Sequence, residues 1–220
     1  MKKSALAQKF DHTLLKSDAS LNNIKNLCNE ALKYNFRSIC INPIWIEKTL
    51  TFLNKKNIKL CTVIGFPLGA NPSIIKLNEV GYSIDKGATE IDMVMNIGLF
   101  KDKKYFYVAK EISDIVKKCN GRIVKVIIEA GVLNQKELKL ATNIVEDNGG
   151  DFIKTSTGFS SFGATKEVIE IIKNNIKFKT KIKASGGINR LNQVIELLSL
   201  GVDVIGSSSS AFIMEELSTN

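Results

Sequence analysis

The chain is short of the residues that ready-made chemistry uses most. A single histidine, His12, stands in 220 residues, which makes a triad built on a histidine base improbable. The four cysteines, Cys28, Cys40, Cys61 and Cys119, are widely spaced and form no Cys-x-x-Cys pair. That spacing argues against a zinc site and against a disulfide framework, and fits reduced thiols. Arginine is almost missing: only Arg37, Arg122 and Arg190 occur, although Lys+Arg total 31 against 22 Asp+Glu and the formal charge is +9. Nucleic-acid readers favour arginine and dense basic blocks, and neither is here. The excess charge is read as lysines solvated on helix faces, and no nucleic-acid partner is expected. No apolar run approaches the length of a membrane span, and "MKKSALAQKFDHTLLK" has no signal-peptide core before Asp11. A cytoplasmic protein without membrane contact is expected.

What is present is rhythm. Apolar fraction is 44% and charged fraction 24%, as in globular domains. Short β-branched runs alternate with longer segments of helical period. Strands are expected at Phe10–Leu15, Ser38–Asn42, Lys59–Gly65, Glu90–Asn96, Ile123–Glu129, Asp151–Thr157, Lys181–Ser185 and Asp203–Ser207. Helices are expected near 21–34, 43–56, 72–87, 103–119, 134–148, 164–175, 190–200 and 209–217. Asn42-Pro43 and Asn71-Pro72 each suggest a cap before a first-turn proline. Asn134 with Glu137 suggests a capping box, and Gly87, Gly121, Gly149 and Gly201 fall where helices should stop. Leu21, Ile24, Leu27, Cys28, Ala31 and Leu32 form the stripe of a helix packed on a sheet. Eight strand–helix units of about 27 residues suit a single-domain α/β protein over 1–220, a (β/α)8 TIM barrel. A doubly wound sheet is the alternative, but no Gly-x-Gly-x-x-Gly follows the first strand.

Side chains alternate along a strand, so parity sorts those facing the barrel axis. By parity Asp92, Lys125 with Glu129, Lys154, and Lys183 are sent inward by four successive strands. An ion network without chemistry accounts equally well for Lys125 and Glu129, which share a face and can pair. It accounts less well for Lys154 and Lys183. Two lysines on adjacent strands repel, and each lowers the other's hold on its proton. An amine in that state attacks aldehydes to form a Schiff base, which serves as an electron sink for carbon–carbon bond chemistry. "TSTGF", "SGGI" and "GSSSS" end the last three strands. Gly158, Ser185, Gly186, Gly187, Gly206, Ser208 and Ser209 therefore make a candidate phosphate site. Strand-end turns are the plain alternative. Asp11, which begins the first strand, is a possible substrate contact or a turn cap; Cys40, at the mouth of the second, is a possible contact or core filling; Lys125 is a further possible contact.

These residues sit in a longer likeness. "DHTLLK" (11–16), "CINP" (40–43), "VIGFPLGA" (63–70), "EIDMVMNIG" (90–98), "VKVIIE" (124–129), "DFIKTSTGF" (151–159), "KASGGI" (183–188) and "GVDVIGSSS" (201–209) occur in order through nearly the whole chain. The sequence resembles the deoxyribose-phosphate aldolase family of class I aldolases. The resemblance implies a Schiff base on Lys154, tuning of its protonation by Lys183 and proton relay by Asp92. It also implies a phosphorylated sugar substrate, 2-deoxy-D-ribose 5-phosphate, split to D-glyceraldehyde 3-phosphate and acetaldehyde, with no metal or organic cofactor. Barrels of this family are often dimers, so a homodimer is the expected assembly. Other readings of the same barrel are a sugar-phosphate isomerase, another Schiff-base lyase, or a phosphate-ligand sensor. Two departures stand out. Asn189 replaces the arginine that often follows "GGI", with Arg190 next, and the chain ends "MEELSTN" without the tail tyrosine of some longer members.

Overall fold

A computed structural model describes residues 2–54, 57–160 and 163–219. A short helix α1 (Lys3–Ala7) precedes β1 (Phe10–Leu14), α2 (Leu21–Tyr34) and β2 (Ser38–Ile41). A 3-10 turn (Pro43–Trp45) then leads into α3 (Ile46–Leu53), followed by β3 (Lys59–Ile64), α4 (Ser73–Asp85) and β4 (Glu90–Val94). Next come α5 (Ile97–Lys101), α6 (Tyr105–Cys119), β5 (Ile123–Ile127), a 3-10 turn (Ala130–Val132), α7 (Gln135–Asp147) and β6 (Phe152–Lys154). The chain closes with α8 (Lys166–Asn175), β7 (Lys181–Ser185), α9 (Leu191–Ser199), β8 (Val204–Ser207) and α10 (Ser210–Thr219). The strands form a closed parallel barrel in sequence order, β8 pairing back onto β1. The fold is the (β/α)8 TIM barrel expected from the rhythm.

Each expected strand is found, and most are shorter at the C-terminal end. β6 stops at Lys154, not Thr157, because its continuation leaves the ladder to bond the neighbouring loops. The residues beyond each strand end are the ones free to build a site. Three short elements were not read from the sequence: α1, α5 and the turn at Ala130–Val132. Each spans five residues or fewer, too short to carry a periodic pattern. The expected helix at 43–56 divides into a 3-10 turn and α3.

The local signals have mixed outcomes. Asn134 and Glu137 form a reciprocal capping box on α7. Gly87, Gly121, Gly149 and Gly201 all have positive φ at helix ends. Of the two Asn-Pro caps, Asn42 takes the N-cap position with Pro43 in the first turn but makes no side-chain capping bond, and Asn71 is not the cap. Asn42 donates its amide to the Leu15 carbonyl instead, and the cap of α4 is Pro72 itself, which has no polar side chain. On α2, Ile24, Leu27, Cys28 and Ala31 are buried, while Leu21 and Leu32 at the stripe edges are exposed.

The main apolar core lies between the barrel wall and the helices, as a parallel sheet covered by helices requires. A second small cluster, Leu15, Cys40, Cys61 and Val63 with Phe66 against it, lies apart from it. Burying apolar residues outside leaves the inward positions for polar ones. Asp11, Glu90, Asp92, Lys125, Lys154 and Lys183 are all buried.

Candidate active site

Barrel register sets the charges side by side. Asp92 on β4 pairs with Lys125 on β5, and Lys154 on β6 pairs with Lys183 on β7. Asp92 is the hub. Its Oδ1 accepts from Lys125 at 2.9 Å and from the Cys61 thiol at 3.0 Å. Its Oδ2 accepts from Lys154 at 2.9 Å and from Lys183 at 2.7 Å. Lys183 also donates to Asp11 at 2.6 Å, and Lys125 reaches Glu90 at 2.7 Å. Arg37 closes the set from below, donating to Asp11 at 2.6 Å and to both oxygens of Glu90 at 2.9 and 2.6 Å.

These contacts decide the protonation states. Burial would raise the Asp92 carboxyl, but Lys125, Lys154 and Lys183 overcome that and hold it well below the usual carboxylate range. Asp11 follows the same logic: burial pushes it up, and Lys183, Lys125 and Arg37 bring it down further than that. For Lys183, burial disfavours the ammonium, yet Asp11 and Asp92 together push its pKa above the ordinary lysine value. This reverses the mutual depression expected from two lysines alone. The reason is that carboxylates stand between the amines. Lys183 is a fixed cation.

Arg37, Lys125, Lys154 and Lys183 face Asp11, Glu90 and Asp92, and the half-exposed Lys59 reaches Glu90 at 3.6 Å. Lys125 and Lys183 each touch more than one carboxylate, whereas Lys154 donates to one oxygen already shared with Lys183. Lys154 alone among the three lines the cavity at the barrel mouth.

That cavity has a volume of about 410 Å³. Its wall on one side is Thr13 and Leu14 at the end of β1 with Leu15 and Lys16 after it. On the other side stand the loops after β6, β7 and β8. Gly158, Ser185, Gly186, Gly187, Gly206, Ser208 and Ser209, the residues singled out for a phosphate, all line it. Gly158 and Gly187 have φ of 88° and 72°, and a Cβ at either would meet nothing within 4 Å. Glycine there serves the backbone conformation and leaves the wall bare. Ser207 braces this wall: its hydroxyl donates to the Ile188 carbonyl and accepts from the Ser209 amide. A helix N-terminus, that of α10, begins directly behind Ser209, where an anion is favoured.

Three expected contacts are placed elsewhere. Asp11, Cys40 and Lys125 do not line the cavity. Asp11 and Lys125 are spent on the ion network beneath it, and Cys40 packs with Leu15, Cys61 and Val63. The expected Lys125–Glu129 pair does not form. Glu129 lies past the end of β5 with φ 49°, so strand parity no longer applies, and its carboxylate bonds Thr157 and Ser160. Arg190, next to the position of the missing arginine, holds Glu216 at 3.0 Å and lies over the Phe212 ring, while Asn189 lines the cavity.

Arg37, Glu90, Cys61 and Lys16 were not read as site residues. Glu90 shares the parity of Asp92, which is a usable signal, whereas nothing local marks Arg37 or Lys16. The scattered cysteines also conceal a cluster. The donor atoms of Cys40, Cys61 and Asp92 lie within 4.8 Å of one another, as do those of Asp11, Cys61 and Glu90. Every carboxylate in these sets already holds an ammonium or guanidinium group, and a metal cation would be repelled by the lysines around Asp92. The donor set does not suit a metal.

The comparisons with known proteins follow the same lines. The model of the DeoC/LacD family aldolases matches residues 5–199. The chain belongs to this aldolase family. It is 45% identical over 217 residues to the deoxyribose-phosphate aldolase of Dictyoglomus turgidum, covering 99% of both chains. To that of Mycoplasmoides pirum it is 49% identical over 210 residues, covering 94% of this chain and 95% of the other. Among solved structures, an aldolase called QR15 superposes with a TM-score of 0.93 at 36% identity, over 97% of this chain and 96% of the other. The deoxyribose phosphate aldolase of Aeropyrum pernix, described as tetrameric, gives 0.91 at 34% identity, over 99% and 93%. The aldolase is thus a lyase built on a parallel barrel, with a buried amine opening on a cavity. Among its described residues no helix is long and apolar enough to cross a membrane.

Proposed function

We propose that this enzyme cleaves 2-deoxy-D-ribose 5-phosphate reversibly to D-glyceraldehyde 3-phosphate and acetaldehyde, through a Schiff base on Lys154, in the breakdown of deoxyribonucleotides. One observation carries the proposal. Lys154 is the one lysine of the buried network that also lines the cavity, whose opposite features are three glycine- and serine-rich loops suited to a phosphate. The names of the relatives support the choice of sugar.

The chemistry follows from the charges. Lys154, as the free amine, adds to the C1 aldehyde of the open-chain sugar. The carbinolamine loses water and becomes a protonated imine. A base then removes the proton of the C3 hydroxyl, the C2–C3 bond breaks, and its electron pair moves into the iminium to give an enamine. Glyceraldehyde 3-phosphate leaves. The enamine takes a proton at C2, and water hydrolyses the imine to free acetaldehyde and the amine. No redox partner is needed. Asp92 holds the amine through Oδ2 and is placed to relay its protons. Lys183, held charged by Asp11 and Asp92, donates to the same Asp92 oxygen. The phosphate end contributes binding that positions C1 near the amine.

The test uses acetaldehyde with borohydride reduction and peptide mapping. The adduct is expected on Lys154 and is expected to vanish in Lys154→Ala, which leaves each of the three carboxylates with a basic partner and so should fold. Turnover of deoxyribose 5-phosphate by the parent enzyme completes the case. A label on Lys183, or none, would overturn the assignment.

A further inference from the structure

Glu129 is the one buried carboxylate at the barrel mouth that takes no part in the ion network. It is 6% exposed and makes no ion pair among the described residues. Its backbone takes the left-handed conformation, φ 49° and ψ 62°, which is uncommon for a glutamate. Its two oxygens divide their work. Oε2 accepts from the Thr157 amide at 3.2 Å and from the Thr157 hydroxyl at 2.5 Å. Oε1 accepts from the Ser160 hydroxyl at 2.8 Å. Between those two anchors lie Gly158 and Phe159, both of which line the cavity. The Thr157 hydroxyl passes the restraint on by accepting from the Phe159 amide at 3.1 Å.

The backbone beside Glu129 is tied to the segment after β6 as well. The Ala130 amide, next to Glu129, donates to the Thr155 carbonyl at 2.8 Å. Gly163 lies against the loop after β7: a Cβ there would sit 2.0 Å from the Gly186 carbonyl oxygen. Without the carboxylate, the turn at Gly158 keeps only the bond from the Phe159 amide to the Thr157 hydroxyl, since glycine is free in φ and contributes no side chain.

We propose that Glu129 is a positioning residue for the phosphate of the substrate. It acts by holding the Thr157–Ser160 turn in the shape that meets the anion, and not by touching substrate. A carboxylate suits this because it accepts from three donors at once, which an amide or a hydroxyl cannot. It rests on the reading of the cavity as the seat of a sugar phosphate. Its effect is separable from chemistry at Lys154, since no contact joins Glu129 to the amine.

The experiment compares the parent enzyme with Glu129→Gln and Ser160→Ala on two substrates, deoxyribose 5-phosphate and unphosphorylated 2-deoxyribose. Glu129→Gln keeps one acceptor oxygen and loses the other. Its KM for the phosphorylated sugar should rise about tenfold, the equivalent of about 1.4 kcal/mol. Its kcat should change by less than about twofold, since the loss is of uniform binding. Its kcat/KM for 2-deoxyribose and its labelling by acetaldehyde and borohydride should match the parent. Ser160→Ala removes one arm, leaves the fold's interior untouched and should show a smaller rise in the same KM alone. Equal losses on both substrates, or an unchanged KM in both variants, would overturn the inference while leaving the Schiff-base reading intact. A parent enzyme that turns over no deoxyribose 5-phosphate would overturn the underlying reading, and this one with it.

Discussion

Replacing Asp92 with asparagine removes one charge and almost no volume, so its effect isolates the electrostatics of the barrel interior. In the parent enzyme Arg37, Lys125, Lys154, Lys183 and the half-exposed Lys59 face three carboxylates; in Asp92→Asn they face two. The lost group accepts from Lys125, Lys154, Lys183 and the Cys61 thiol, and an amide offers only one acceptor oxygen. Removing one partner from a buried ion pair costs about 3–5 kcal/mol, because the others stay buried without compensation. For a chain of this size that lowers the melting temperature by about 6–20 °C. Urea unfolding at a series of pH values reads both the size and the origin of the loss. The folded-state pKa of Asp92 is held below its unfolded value, near 3.9 for an ordinary aspartate. Its stabilisation is therefore fully present above that value and is lost as pH falls through the folded one. The gap between parent and variant should be flat above about pH 5 and should narrow below about pH 4. Turnover should fall by about 10²–10⁴-fold if the carboxylate relays protons. A gap under about 1 kcal/mol at pH 7, or one that widens on acidification, would refute the assignment of Asp92 as the hub.

Two further substitutions test the walls of the site. Arg190→Ala should change the KM for deoxyribose 5-phosphate by less than about twofold and stability by less than about 1 kcal/mol, since Arg190 is 60% exposed and holds Glu216. A tenfold rise in KM would show that the guanidinium swings to the anion. Gly206→Ala would put a Cβ 3.0 Å from the Lys183 Cε and 3.2 Å from the Ser185 Cβ. Steady-state assay should show a marked loss of kcat, with a stability cost of about 1–3 kcal/mol by thermal unfolding. Full activity would mean that Lys183 has room to move, contrary to its tight seat between Asp11 and Asp92.

Much of this site was legible in the sequence because two of its signals are local. Alternation along a strand sends Asp92, Lys125, Lys154 and Lys183 to one side whatever their neighbours are. Glycine at 158, 186 and 187 announces backbone conformations that other residues avoid, and all three have positive φ. Where the strands ended, parity ended with them. Glu129 was grouped with Lys125 on one face, but its left-handed backbone turns the carboxylate to the next loop. Asn42 does stand at the N-cap position before Pro43, but its side chain makes no capping bond and its amide donates to the Leu15 carbonyl instead.

The amino-acid sequence alone determined the eight-fold alternation, the barrel, the inward charges and the glycine-rich strand ends, because each depends on residues within a few positions of one another. Tertiary structure alone decided which carboxylate each amine meets. Asp11 and Lys183 are 172 residues apart and are joined only because β8 pairs with β1 and closes the ring. Closure makes Lys183 a permanent cation, draws Arg37 under Asp11 and Glu90, and leaves Lys154 as the lysine of the set that meets the cavity.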